Sequence, residues 1–464
     1  MGRKTINQIS HVLTSLIGGV TFLGFLMTTS RSMEDFKEDD KKQATHRITQ
    51  THPSALDKLF CFGSSDHHPS NFIRSKLVGF LSVDDKAQMR LVAKRYRDFI
   101  DLSFFGAVHD TSFAITPFSS EISRGTVGDN ILVLLRTAQR RVIIASDKCT
   151  NEEFLDDLLT LRGHEDRGIE IRIVTGEDRQ TAKTLSNPKY EGRFAYQSIA
   201  SDRGRGKMHN KFIIVDDRLV ITGSPNLTFA AYNYNVESFV AIHHGFVASL
   251  YFRYYQYIVC GKDKYDQTQD EYRRVRKMIN IFNGAPDSLI QVCLAPILDI
   301  KTFIIREINA AEIIDINMFL VSRASEPDND IVHNLLTAGR RGAEITMKVD
   351  GAQYGTQAYM RTALNPFKDL GKSVYTVSKN SQRIRTRTKS IETKPQFHDK
   401  LVLIRQTDGS KKVFIGSAGF TDNVQDNLNL ENMVLLRVPG IYDMLLTHFT
   451  SIDGSRGNLV VTKL

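Results

Sequence analysis

The sequence predicts an α/β protein of two similar lobes, related by a pseudo-twofold axis and preceded by a small helical amino-terminal region. Two observations predict it. Strand-like and amphipathic helix-like segments alternate in the same order in two halves of the chain, as crossover units covering both faces of a sheet require. A string of polar residues also recurs, beginning at His209 and again 189 residues later at His398. Length agrees: 464 residues with 41% hydrophobic content hold two α/β units of about 150 residues and an extension.

Residues 1–30 contain an uncharged stretch, Val12 to Thr29, preceded by Arg3 and Lys4. It is at the short limit for a membrane span and above the usual core of a secretion signal, so it is expected to anchor the chain or direct its export. The expected location is therefore membrane-associated or secreted. Residues 68–105 show helical periodicity through Leu77, Phe80, Leu81, Leu91 and Val92. The first lobe is expected over 115–260. There a helix through Ile131 leads to a strand at Arg141–Ser146, a helix through Phe154, Leu155, Leu158 and Leu159, and a strand from Ile169 to Val174. Residues 261–285, with Gly261 at one end and Asn283-Gly284 at the other, read as the connection. The second lobe, 285–464, repeats the order with Thr302–Ile308, a strand at Glu312–Ile316, a helix from Ile331 and a strand at Ala343–Val349.

The recurring string is the chemical signal. The first copy reads His209-x-Lys211, Asp216, Gly223-Ser224 and Asn226; the second reads His398-x-Lys400 and Gly416-Ser417. In a strand, residues i and i+2 share a face, so each copy sets an imidazole beside an ammonium. Two such strands surround one phosphate with two imidazoles and two cations. A phosphodiester repels nucleophiles, so cations and hydrogen-bond donors on its non-bridging oxygens promote attack. A neutral imidazole attacks near pH 7, whereas a protonated one donates a proton to the leaving oxygen. Downstream, Asn235-Val236-Glu237 and Asn429-Leu430-Glu431 also recur.

These residues resemble the phospholipase D superfamily, whose signature is His-x-Lys-x4-Asp followed by Gly-Ser. The resemblance covers roughly residues 115 to 464. It implies catalysis by His209, Lys211, Asp216, His398, Lys400, Glu237 and Glu431, with Ser224, Asn226 and Ser417 binding the phosphate. One His forms a phosphohistidine while the other serves as acid and then base, and each Glu holds a motif His by its second ring nitrogen. His209, in the intact copy, is the expected nucleophile. No metal and no cofactor are implied. The second copy departs at Arg405, where Asp is expected, and at Gly419, opposite Asn226.

The net charge of +9 suits an anionic substrate without choosing between lipid and nucleic acid. Basic runs precede each motif, at Arg203-Gly-Arg205-Gly-Lys207 and Arg383-Ile-Arg385-Thr-Arg387-Thr-Lys389, and neither is interleaved with aromatics for base stacking. A membrane-directed amino terminus favours a phospholipid substrate at a membrane surface. A metal-independent nuclease acting on nucleic acid and an adaptor with a decayed second half are the competing readings. Pro69 to Ile100 resembles an F-box, although Ala93 and Tyr96 replace the common Cys and Trp. That resemblance implies a Skp1-like adaptor as partner and, with a hydrolase on the same chain, an effector delivered into a host cell. The four cysteines, Cys61, Cys149, Cys260 and Cys293, have no metal-binding spacing.

Overall fold

The computed structural model describes residues 114–120, 126–162, 168–200, 206–260, 265–284, 288–380, 382–385, 390–393, 395–455 and 459–464. All belong to one compact unit, Asp110–Leu464. The stretch at 12–29 and the F-box-like segment lie outside the described residues. None of the described helices is long and apolar enough to cross a membrane.

The first half runs β1 (Ala114–Ser119), α1 (Val127–Leu135), β2 (Arg141–Ser146), α2 (Glu152–Arg162), β3 (Glu170–Gly176), α3 (Arg179–Leu185), β4 (Ala195–Ile199), β5 (Lys211–Val215), β6 (Leu219–Gly223), α4 (Phe229–Asn233), β7 (Ser238–His243) and α5 (Gly245–Cys260). Helix α6 (Tyr265–Asn283) leads to the second half: β8 (Ile290–Ala295), α7 (Ile300–Ile308), β9 (Ala311–Met318), α8 (Ile331–Arg340), β10 (Glu344–Asp350), α9 (Gly351–Thr356), α10 (Ala358–Asp369) and β11 (Ser373–Lys379). There follow a hairpin of β12 (Gln382–Arg385) and β13 (Ser390–Thr393), then β14 (Lys400–Gln406), β15 (Lys411–Gly416), α11 (Asp422–Gln425), β16 (Glu431–Leu436), α12 (Ile441–Ser451) and β17 (Leu459–Lys463).

The first sheet has the order β1-β7-β6-β5-β2-β3-β4, and the second β8-β16-β15-β14-β9-β10-β11-β17. Strand for strand the two orders correspond, with β17 added at one edge. Strands β2, β3 and β4 run parallel, as do β9, β10 and β11. The crossover units expected from the alternating pattern account for these strands alone. Motif strands β5 and β14 run antiparallel to β2 and β9, and tight turns join them as antiparallel hairpins to β6 and β15.

Helix boundaries follow local chemistry. Thr126 and Asp129 cap α1 reciprocally, the hydroxyl accepting Asp129 N–H at 3.1 Å and the carboxylate accepting Thr126 N–H at 2.8 Å. Asp299 and Asp330 cap α7 and α8. Each lobe packs its own core, Ile131, Leu135, Ile144, Phe154 and Leu158 in the first, Ile304, Ile316, Leu335, Met347 and Val402 in the second.

The connection read at 261–285 is largely helical. Val275, Ile279 and Phe282 are buried at a spacing of four and three, the stripe of an amphipathic helix. Asn283 ends the helix on β8, its amide donating to Val292 O at 2.8 Å and accepting Val292 N–H at 2.9 Å. Cys149 and Cys293 are fully buried free thiols.

Candidate active site

Lys211 opens β5 and Lys400 opens β14, each in register with the last residue of a parallel strand, Ser146 of β2 and Met318 of β9. Both motifs therefore stand at carboxyl ends of parallel strands, where open α/β sheets bind ligands. The i, i+2 spacing behaves as alternation dictates. Lys211 Nζ donates to His209 O at 3.0 Å and Lys400 Nζ to His398 O at 2.9 Å. The intervening residue turns to the other face. Asn210 donates to the Tyr254 hydroxyl of α5 at 3.2 Å, and Asp399 pairs with His448 Nε2 of α12 at 2.9 Å.

The two motifs meet through reciprocal backbone bonds. His209 N–H donates to Leu430 O at 2.9 Å and Leu430 N–H to Lys207 O at 2.8 Å; His398 N–H donates to Val236 O at 3.0 Å and Val236 N–H to Gln396 O at 2.9 Å. Each bond joins a residue of one half to a residue of the other. This register swaps the glutamates. Glu431 accepts from His209 Nδ1 at 2.7 Å, and Glu237 accepts from His398 Nδ1 at 2.9 Å. An ionised carboxylate only accepts, so Nδ1 carries the hydrogen and Nε2 is the chemically available nitrogen, that of His398 lying 3.1 Å from Lys400 Nζ. Sequence spacing found both glutamates but carried no sign that each serves the opposite half. Asn235 and Asn429, which the motif reading left without a role, strengthen the swap. Their amides donate to Glu237 and Glu431 at 3.1 and 3.0 Å, while their oxygens accept N–H groups of Gln396 and Lys207 from the facing lobe.

The Gly-Ser pairs are explained by this arrangement. A Cβ on Gly223 would lie 2.3 Å from Ser238 O, and one on Gly416 2.3 Å from Asn432 O, so only glycine lets the glutamate-bearing strand approach. Ser224 and Ser417 are fully buried and donate to Glu237 and Glu431, accepting in turn from the backbone N–H groups of Ser238 and Asn432. Their hydroxyls are directed at the glutamates, not at an open phosphate site. Asn226 is half-buried, and its amide oxygen has no hydrogen-bond partner among the described residues. At Gly419 a Cβ would meet nothing closer than 3.7 Å, so the absent asparagine is not excluded by space.

Asp216 corrects the expectation. It lies beyond the far end of β5, seven residues from His209, a distance of roughly 20 Å along an extended strand. Its carboxylate accepts the N–H groups of Gln139, Arg140 and Arg141 at 2.7, 2.8 and 3.0 Å and so closes the turn entering β2. It holds the fold and is remote from both imidazoles. Arg405, its counterpart, pairs with Glu312 at 3.3 Å near the surface, which leaves the second site intact.

Charge is unevenly spread over the site. Burial, reinforced by Lys400 and Lys211 against the pull of Glu237, pushes His398 down to about 4. Burial and the neighbouring Lys211 push Lys400 down to about 7, and burial also lowers Lys211. Burial would raise the Glu431 carboxyl, but His209 and Lys211 outweigh it and hold the group below its ordinary value. Asp147 is a second residue the motif did not reveal. Burial pushes its carboxyl up, while His209, Lys211, Lys148 and Lys207 pull it down further. Phe319 is a third, its ring centroid 4.8 Å from that of His398. Among the described residues no group of three His, Cys, Asp or Glu is placed to hold a metal ion.

The family described as "Cardiolipin synthase, PLD-like domain" matches residues 131–259 and 304–452. A phospholipase D of Rickettsia bellii (strain RML369-C) is 35% identical over 85 residues, 18% of this chain and 41% of that protein. A mitochondrial cardiolipin hydrolase of Chlamydomonas reinhardtii is 31% identical over 104 residues, 22% of this chain and 44% of that protein. The chain thus spans less than half the length of these curated relatives. In fold it is similar to phosphatidylserine synthase of Haemophilus influenzae Rd KW20, with TM-score 0.51 and 14% identity over 75% of this chain and 87% of that one.

Proposed function

Because the chain belongs to the PLD-like family described as cardiolipin synthase, we propose that it is a phosphodiesterase that cleaves phospholipids through a phosphohistidine intermediate. One observation carries the reading: two His-x-Lys pairs are joined across the lobes, each imidazole fixed by the glutamate of the other half. That geometry gives a phosphate two Nε2 atoms with set tautomers and two ammonium groups. One imidazole attacks phosphorus, the other protonates the departing oxygen, and the second then activates water to release the enzyme. Lys211 and Lys400 neutralise the non-bridging oxygens as charge builds. The names of the curated relatives, a phospholipase D and a cardiolipin hydrolase, support lipid over nucleic acid. In this reading residues 12–29 hold the enzyme at a lipid surface.

The test is the full-length chain with EDTA present, offered labelled phosphatidylcholine, phosphatidylethanolamine, cardiolipin, and single- and double-stranded DNA. Cleavage of lipid, lost in His209→Asn and His398→Asn, is expected. Nicked DNA with intact lipid would replace the lipid reading by a nuclease. Cleavage of neither, with retained Skp1 binding, would make the chain an adaptor.

A further inference from the structure

The two lobes place different residues at one equivalent position beside the phosphate site. Asp147 follows β2 and Phe319 follows β9. Their equivalence is set by the backbone: Asp147 N–H donates to Asn210 O at 3.0 Å, and Phe319 N–H donates to Asp399 O at 3.1 Å. Each therefore bonds the central residue of its own His-x-Lys. A carboxylate thus flanks His209 and Lys211, whereas an aromatic ring covers His398 at 4.8 Å and lies under Lys400 Nζ at 5.6 Å. The contrast continues outward. Beyond Asp147 come Lys148 and, after β3, Glu177 and Asp178, with Lys148 and Asp178 4.0 Å apart; after Phe319 comes Leu320, partly buried against the second core, as is Tyr354 in α9, which follows β10.

Resting on the phospholipase reading, we propose that Asp147 and Phe319 give the site a polar side and an apolar side, and so select a phosphodiester with one hydroxylated or cationic arm and one acyl-bearing arm. The polar arm lies by Asp147 and leaves; the acyl-bearing arm lies over Phe319 and stays on the enzyme. In-line displacement then fixes the roles, because attack comes from the side opposite the leaving oxygen. His398 Nε2 bonds phosphorus as the bond to the head-group oxygen breaks. His209 Nε2 gives that oxygen its proton, so the head group departs as an alcohol. Water next loses a proton to His209 and attacks phosphorus, the P–N bond breaks, and a phosphatidic acid is released with both imidazoles restored. The order reverses the assignment of His209 as nucleophile. It agrees with the charge landscape, in which burial keeps His398 unprotonated and Asp147 and Glu431 surround His209 with negative charge. Lys400 Nζ rests 3.1 Å from His398 Nε2, and an arriving phosphate draws the ammonium away and frees that nitrogen.

Two measurements on the full-length protein test this. Quench of wild type turning over dihexanoylphosphatidylcholine in a mildly alkaline denaturant, which spares the acid-labile P–N bond, followed by peptide mass spectrometry, is expected to find a dihexanoylglycerophosphoryl group on His398. The same group on His209 would overturn the polarity. Separately, kcat/KM is compared for dihexanoylphosphatidylcholine and glycerophosphocholine, which differ only in the acyl chains. Wild type should prefer the acylated substrate by roughly tenfold or more, the worth of burying about two methylenes. Phe319→Asp should collapse that ratio, and Phe319→Leu, which keeps an apolar side chain, should retain most of it. Equal kcat/KM for the two substrates in wild type would sink the inference while leaving the phospholipase standing. Absence of cleavage of either would remove both.

Discussion

The two motif strands share a scaffold and differ in their surroundings. His209 keeps 22% of its side chain exposed, with Asp147 and Glu431 nearby; His398 keeps 8%, beneath Phe319. Behind the strands, Asn210 meets Tyr254, whereas Asp399 accepts from Asn317 at 2.9 Å, from Ser238 of the other lobe, and from His448. At the far ends Asp216 binds three N–H groups and Arg405 forms a surface pair. Repeated topology supplies two imidazole–ammonium pairs. Divergence around them buries one imidazole beneath an aromatic ring and leaves the other more open, beside two carboxylates. A symmetric displacement needs that asymmetry, since attacker and acid must carry different charges at the same moment.

Removing either imidazole should have the largest effect and should act differently in the two lobes. His398→Asn is expected to abolish turnover with no covalent adduct, whereas His209→Asn should slow both steps by about 10²–10⁴-fold and let the adduct accumulate. Rapid-quench kinetics with adduct mass spectrometry separates them. Loss of the glutamate partners comes next. Glu237→Gln and Glu431→Gln leave shape intact but misdirect the tautomer, so kcat should fall between about 10-fold and 10⁴-fold. Wild-type kcat in either variant would remove the tautomer argument.

The pH dependence sharpens the comparison. His398 attacks only when neutral, so kcat/KM should rise as pH passes upward through about 4. Lys400 holds phosphate only when protonated, so kcat/KM should fall as pH passes upward through about 7. A kcat/KM constant from pH 6 to 9 would show that Lys400 does not titrate in the free enzyme. The smallest catalytic effect belongs to Asp216→Asn. Weakening the acceptor of three part-buried N–H groups should cost about 1–3 kcal/mol in denaturant unfolding and leave turnover per folded molecule near wild type. A large fall in kcat without loss of stability would return Asp216 to the catalytic set.

Much of this was legible in the sequence, for physical reasons. Strands such as Arg141–Ser146 and Glu344–Asp350 are buried, β-branched runs bounded by polar turns, and the i, i+2 rule put each Lys beside its His. Spacing also located Glu237 and Glu431. The swap between lobes was hidden, because it depends on the pairing of Met208 with Leu430 and of Val236 with Phe397, contacts between segments far apart in the chain. Asp147 and Phe319 were hidden likewise: they lie outside the motif and reach it only through the β2–β5 and β9–β14 registers. Asp216 misled for the opposite reason, belonging to the motif by spacing and to the turn by function. That the connection at 261–285 carries the helix Tyr265–Asn283 was hidden, because surface charges obscured the stripe of Val275, Ile279 and Phe282.

The central claim is that one site is assembled reciprocally, each lobe's glutamate fixing the other lobe's histidine. NMR of isotope-labelled histidine in the full-length protein, with Glu237→Gln and Glu431→Gln compared with wild type, tests it most directly. Glu237→Gln should shift the Nδ1 resonance of His398 and leave that of His209 near its wild-type position, and Glu431→Gln should do the reverse. Shifts confined to the histidine of the same lobe in each variant would contradict the account.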